Sequence, residues 1–222
     1  MNIKAILFDH DGTLVDSETI HYEMWKIILE SYGITLTLED YIQNYAGFPT
    51  ISNAETMTNR YSALSVTASV LIDAKNSATK LFLSTQAFPL MKGARESINY
   101  FKEQGLKVSV VTGASGEGVK NTINSYDLKS SISTVVSGDD VRKSKPAPDC
   151  YLLATQRLGL HASECIAIED SENGVAAAVA ANVTCVAVSG SMLKHHDFSK
   201  AVKVFTNLDE ARHWIVESYE FI

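Results

Sequence analysis

The stretch IKAILFDHDGTLVDSE, residues 3–18, decides the fold. It opens on a near-continuous apolar run, the pattern of a strand covered on both faces. The run finishes on Asp9 and Asp11, two carboxylates separated only by His10. In an extended conformation both carboxylates point to one side and His10 to the other. Gly12 and Thr13 then end the run and let the backbone swing away. Two like charges side by side persist only where a cation or a raised pKa relieves their repulsion. A hard divalent cation is the natural relief, and Mg²⁺ takes a few carboxylates together with phosphate oxygens and water.

Working outward, further short β-branched runs follow at 106–112, 133–137, 165–170, 183–188 and 203–206. Helical patterns alternate with them at 93–104, 115–125, 149–158, 172–181 and 207–217, with Gly105 and Gly159 at helix C-caps. That alternation predicts an α/β fold, a Rossmann-like doubly wound parallel sheet joined by crossover helices. Residues 18–87 break the rhythm: ETIHYEMWKIILESYG and VTASVLIDAKNSATKLFLST read as helices, and no strand stands out. The expected organisation is a catalytic core of residues 1–17 and 88–222 with an inserted α-helical cap domain at 18–87, the return marked by Pro89 and Gly93.

The chain of 222 residues is 45% hydrophobic and carries nine Tyr and eight Phe, enough for a sizeable core. Its net charge of −7 argues against a nucleic-acid or anionic-membrane surface, so an anionic substrate needs local positive charge. Cys150, Cys165 and Cys185 show no metal spacing, and no run approaches the ~20 apolar residues of a membrane span. These features predict a cytoplasmic protein with no obligate protein partner evident.

Three of the expected strands finish on groups able to do chemistry: Asp9 with Asp11, Thr112, and Glu169 with Asp170. Singly, each is an ordinary turn residue, and Glu169-Asp170-Ser171 also reads as a helix N-cap. Ligands of open parallel sheets bind beyond the carboxyl ends of the strands, so neighbouring strands would bring these groups together. Glu169 and Asp170 would then complete the cation site.

LFDHDGTLVDSE, VVTG, KSKPAPD and IEDSENGVAAAVAA, in that order, resemble the four motifs of the haloacid dehalogenase-like hydrolase superfamily. The helical insertion resembles its cap, of the β-phosphoglucomutase/phosphoglycolate phosphatase type. The resemblance implies that the partner is a small phosphorylated metabolite, that Asp9 is a nucleophile forming an aspartyl-phosphate and that Asp11 is the general acid and base. It implies that Thr112 and the Gly113 N–H hold a phosphoryl oxygen, and that Lys145 offsets charge on phosphate and nucleophile. Standing alone, Lys145 reads as a solvated loop lysine. The resemblance also implies Mg²⁺ ligation by Asp9, the backbone carbonyl of Asp11 and Asp170, with Glu169 supporting from behind.

His10 departs from the family, which commonly has an apolar residue there; the alternation makes it a packing or hydrogen-bonded histidine facing away from the phosphate. Glu18 and His21, one turn into the first cap helix, read as an ordinary polar helix face ahead of a role in touching substrate or controlling closure, and Met24, Trp25, Ile28 and Leu29 read as cap core. The stretch YAGFPTISNAE, 45–55, where the mutase branch places a basic residue for a second phosphate, contains no Lys or Arg. A Mg²⁺-dependent phosphatase for a sugar phosphate or similar monoester is therefore expected ahead of a phosphomutase. A non-catalytic phospho-ligand-binding protein is the third alternative.

Overall fold

The computed structural model describes residues 2–190 and 196–221. The chain divides into two compact units, Met1–Asp16 with Phe88–Ile222, and Ser17–Ala87. The first begins with β1 (Asn2–Ile3) and β2 (Ala5–Phe8). The second holds α1 (Ser17–Glu30), α2 (Leu38–Asn44), α3 (Thr50–Arg60) and α4 (Ala68–Thr85). The first unit then resumes with α5 (Ala94–Glu103), β3 (Lys107–Val111), α6 (Gly116–Ser125), β4 (Thr134–Val136), α7 (Asp149–Leu158), β5 (Cys165–Glu169), α8 (Glu172–Ala180), β6 (Thr184–Val188), β7 (Lys203–Phe205), α9 (Leu208–Ser218) and β8 (Glu220–Phe221).

Six parallel strands form the main sheet in the order β4-β3-β2-β5-β6-β7. The chain builds outward from β2 through β3 to β4, then returns to the other side of β2 with β5. The order therefore reverses beside β2, the position where open α/β sheets bind ligands. Every residue of β2 and β5 is buried, because helices cover both faces. Ala5 and Leu7 point into a core shared with Cys150, Tyr151 and Ala154 of α7 and Val175 and Ala178 of α8. Phe8 points the other way and meets Phe101 of α5, ring centroids 6.2 Å apart. β1, cut off from β2 at Lys4, pairs with β8 in a separate two-stranded sheet.

Register sets the height of the functional groups. Phe8 lies level with Val110 and with Ile168, so the residues just beyond, Asp9, Val111 and Glu169, form one row. Thr112 and Asp170 come next. Asp9 and Glu169 share the alternation of Leu7 and Ala167, which places both side chains on the α7–α8 face.

The helical unit has its own core, with Trp25, Leu29, Tyr41, Tyr45, Met57 and Leu71 buried; Met24 is buried and Ile28 only partly. Glu18 and His21 do not form an ordinary polar face. Glu18 Oε2 accepts from the Tyr41 hydroxyl (2.9 Å) and the Gly47 N–H (3.3 Å), and His21 Nδ1 lies 3.1 Å from Nζ of the buried Lys75. Burial brings the Lys75 ammonium down to about 8, against the upward pull of Glu18. Residues 50–55, the second half of the YAGFPTISNAE stretch, are helical as the start of α3.

Candidate active site

The extended backbone ends at Phe8, and the next residues form a tight loop rather than a continued strand. The His10 carbonyl accepts from the N–H groups of Leu14 (2.9 Å) and Val15 (3.0 Å), and the Gly12 N–H donates to the Val15 carbonyl (2.8 Å). Gly12 has φ +80°, and a Cβ there would overlap the Asp170 carboxylate. Only glycine gives both the left-handed backbone and the close approach.

This loop corrects the expectation that alternation sends His10 away from both carboxylates. Alternation stops where the strand stops. The imidazole is buried, with Nδ1 3.1 Å from Asp11 Oδ2 and Nε2 3.0 Å from Thr122 Oγ1 on α6. The Thr112 hydroxyl also donates to Asp11 Oδ2 (3.4 Å) and accepts from the Ala114 N–H (3.0 Å). The Asp11 carboxyl is thus held apart from the deeper acids and is about one-third exposed, at 32%.

The deeper acids are Asp9, Glu169 and Asp170, all buried, each offering an oxygen within 4.8 Å of the others. Lys145 enters them from the loop before α7. Its Nζ donates to Asp9 Oδ1 (2.5 Å), Glu169 Oε1 (2.6 Å) and the Val111 carbonyl (2.8 Å), and it is not the solvated loop lysine that its neighbours in sequence would suggest. The Lys145–Pro146 peptide is cis. The Tyr151 hydroxyl, on α7, donates to the same Glu169 oxygen at 2.6 Å. No motif pointed to Tyr151, and only its place three residues into a helix that covers the Glu169 face could have done so. Gly113 closes the ring of groups: its carbonyl accepts from the Ser144 hydroxyl at 2.9 Å, tying the β3 end to the lysine loop. Ser171 caps α8 by accepting from the Gly174 N–H (3.1 Å), so capping sits beside the acidic pair rather than replacing it.

Charge is unbalanced here. Burial first, then Glu169, lifts the Asp9 carboxyl from 3.8 to about 7 despite Lys145. Asp170 is pushed well above the usual carboxylate range by burial and by Asp9 and Glu169. Burial opposes the Lys145 charge, yet Asp9 and Glu169 together hold it above its ordinary value. One lysine thus faces three buried carboxylates. Oxygen donors, excess negative charge and closeness are what a small divalent cation requires, so the donor set fits Mg²⁺.

A parallel sheet with a buried carboxylate at its switch point, a buried lysine against it and a cluster of oxygen donors forms a centre suited to an anionic substrate. The model of the haloacid dehalogenase-like hydrolases matches residues 6–188, and the chain belongs to that family, on its β-phosphoglucomutase/phosphoglycolate phosphatase-like branch. YhcW of Bacillus subtilis is 32% identical over 190 residues, 84% of this chain and 83% of that one. The phosphorylated carbohydrates phosphatase of Thermotoga maritima is 29% identical over 182 residues, 82% of each chain. A Deinococcus radiodurans family hydrolase shares the fold with a TM-score of 0.81 at 24% identity, covering 97% of this chain and 96% of that one.

Proposed function

We propose that this protein is a Mg²⁺-dependent phosphatase acting on a phosphorylated sugar or similar small monoester through an aspartyl-phosphate on Asp9. The observation that carries it is Lys145, which lies 136 residues from Asp9 in sequence and bonds to both Asp9 and Glu169. That arrangement suits phosphoryl transfer, which depends on positioning and charge compensation. The named activity of the Thermotoga relative agrees with this substrate class.

In the proposed reaction an Asp9 carboxylate oxygen bonds to phosphorus. The bond from phosphorus to the substrate oxygen breaks, and Asp11 gives that oxygen its proton. Asp11 then takes a proton from water as the water oxygen attacks phosphorus, which releases phosphate and frees Asp9. Lys145 offsets the charge of Asp9 and its phosphoryl group, while Thr112 and the Gly113 N–H steady a phosphoryl oxygen. Asp9, Asp170 and the Asp11 carbonyl would hold Mg²⁺, with Glu169 supporting from behind; the ion's role is to neutralise charge on phosphate and nucleophile.

Asp9→Asn should abolish release of inorganic phosphate from a panel of sugar phosphates while leaving the fold intact by circular dichroism. Undiminished release by that variant would refute the assignment. Incubation with a sugar 1-phosphate and a bisphosphate primer should give inorganic phosphate; accumulation of the 6-phosphate instead would replace the hydrolase with a mutase.

A further inference from the structure

We infer that His10 is a positioning residue for Asp11, setting the orientation in which Asp11 delivers its proton; this rests on the role proposed for Asp11 above. The histidine sits in a built site. Gly118 and Thr122 lie one turn apart on α6 and so face the same way. A Cβ on Gly118 would stand 3.6 Å from His10 Cε1, ordinary contact distance, so the ring edge lies beside this turn of the helix with room for no more than a methyl group between them. Thr122 Oγ1 meets Nε2 at 3.0 Å, and the ring is only 1% exposed. The other end of the ring meets Asp11 Oδ2 at 3.1 Å.

An ionised carboxylate only accepts, so the partners assign the donated proton to Nδ1. Oδ2 then receives the imidazole N–H, with the Thr112 hydroxyl as a second donor until a phosphoryl oxygen takes it. With a phosphoryl group bound, the imidazole N–H is the donor that stays on Oδ2, and it holds the orientation of the carboxyl group. It also makes Oδ2 the poorer place for a proton, so the acid form of Asp11 carries its proton on Oδ1. An apolar side chain at position 10 could not do this. α6 therefore reaches the acid–base group through His10, although no α6 side chain needs to touch substrate.

The consequence depends on the leaving group. Departure of a sugar oxygen needs a well-placed proton, whereas nitrophenolate leaves readily without one. His10→Leu should lower kcat/KM for fructose 1-phosphate by about 10- to 100-fold, with KM little changed. For p-nitrophenyl phosphate the same variant should lose less than about threefold. His10→Asn, whose side-chain N–H reaches about where Nδ1 stands, should restore most of the sugar phosphate activity. His10→Gln, which mimics Nε2, should not. Thr122→Val should lower the sugar phosphate rate in the wild-type background and have no further effect on top of His10→Asn, where no ring links it to Asp11.

Equal losses on both substrates, or equal losses for Leu and Asn in step with a fall in Tm, would reduce His10 to packing and overturn the inference. If His10→Leu does not fold, the Asn and Gln pair and Thr122→Val decide between the same outcomes. Asp9→Asn assayed in parallel separates the levels. An inactive Asp9→Asn with a fully active His10→Leu sinks the inference alone, whereas an active Asp9→Asn sinks the proposed chemistry itself.

Discussion

Glu169 makes no sense as an isolated buried acid: it is fully buried, and Oε1 accepts from both Lys145 and the Tyr151 hydroxyl at 2.6 Å. The Lys145 ammonium also stands 5.2 Å from the Tyr151 ring centroid, so the tyrosine supports acid and lysine together. Burial, then the Glu169 charge, keeps its phenol well above the ordinary value, so it stays a donor. Tyr151→Phe keeps the ring and the packing and removes only that donor. The carboxylate oxygen retains Lys145, so the loss is that of a hydrogen bond to a charged group, about 1.5–3 kcal/mol. Urea unfolding should show that fall in stability with an unchanged slope, and turnover should drop by less than tenfold, roughly 1.4 kcal/mol of barrier, because Lys145 still holds Asp9. An unchanged unfolding midpoint would mean that the hydroxyl carries no such load.

At the scale of the element, α8 tests whether helix propensity or site geometry governs. Gly174 lies in its first turn, and alanine there would by propensity gain up to about 1 kcal/mol. A Cβ at Gly174, however, would overlap the Glu169 carboxylate, which Lys145 and Tyr151 hold in place. Overpacking of that kind costs about 1–3 kcal/mol, so Gly174→Ala should lower stability and hydrolysis together. A stabilised, fully active variant would show that Glu169 can yield. The six main strands and the helices α5 to α9 were legible as alternating patterns because both sheet faces are covered, which makes β2 wholly apolar in sequence and β5 apolar up to its final Glu169. The acids at their ends were legible for the same reason. The α3 helix was not: TISNAETMTNR is polar and weak in helix propensity, and it is held by burying Asn53, Ala54 and Met57, with the Asn53 amide donating to the Tyr45 carbonyl at 2.9 Å. Neither was the β1–β8 pair, two residues a side, nor the contact of His10 with Asp11, which depends on the strand ending one residue before Asp9. Period-two reasoning cannot see its own endpoint.

For the whole molecule, the acidic cluster links stability to pH and to cation. Asp9 rises from 3.8 to about 7 on folding, and Asp170 rises as well. Between about pH 4 and 7 the folded protein therefore binds more protons than the unfolded chain, and without a cation its stability falls as pH rises through that window. Carboxylates shifted the other way do not mask this. Asp140, drawn down to about 2 by Arg157 and the Ser137 N–H, gives stability that is complete above about pH 4 and is lost only in stronger acid. A divalent cation bound only by the folded state adds stability that grows with the ratio of its concentration to Kd, and protons compete for the same oxygens. Scanning calorimetry should therefore give a Mg²⁺-induced rise in Tm at pH 7.5 that largely vanishes at pH 5, at about 2–4 °C per kcal/mol for a chain of this size. Asp170→Asn removes one of the mutually repelling charges, so in chelator at pH 7.5 it should melt higher than the unchanged protein even as its Mg²⁺ response disappears. A substitution that stabilises the metal-free fold while removing its response to the ion is the signature of a site kept acidic for its chemistry; a lower Tm in chelator, or an undiminished Mg²⁺ shift, would show that these carboxylates are structural.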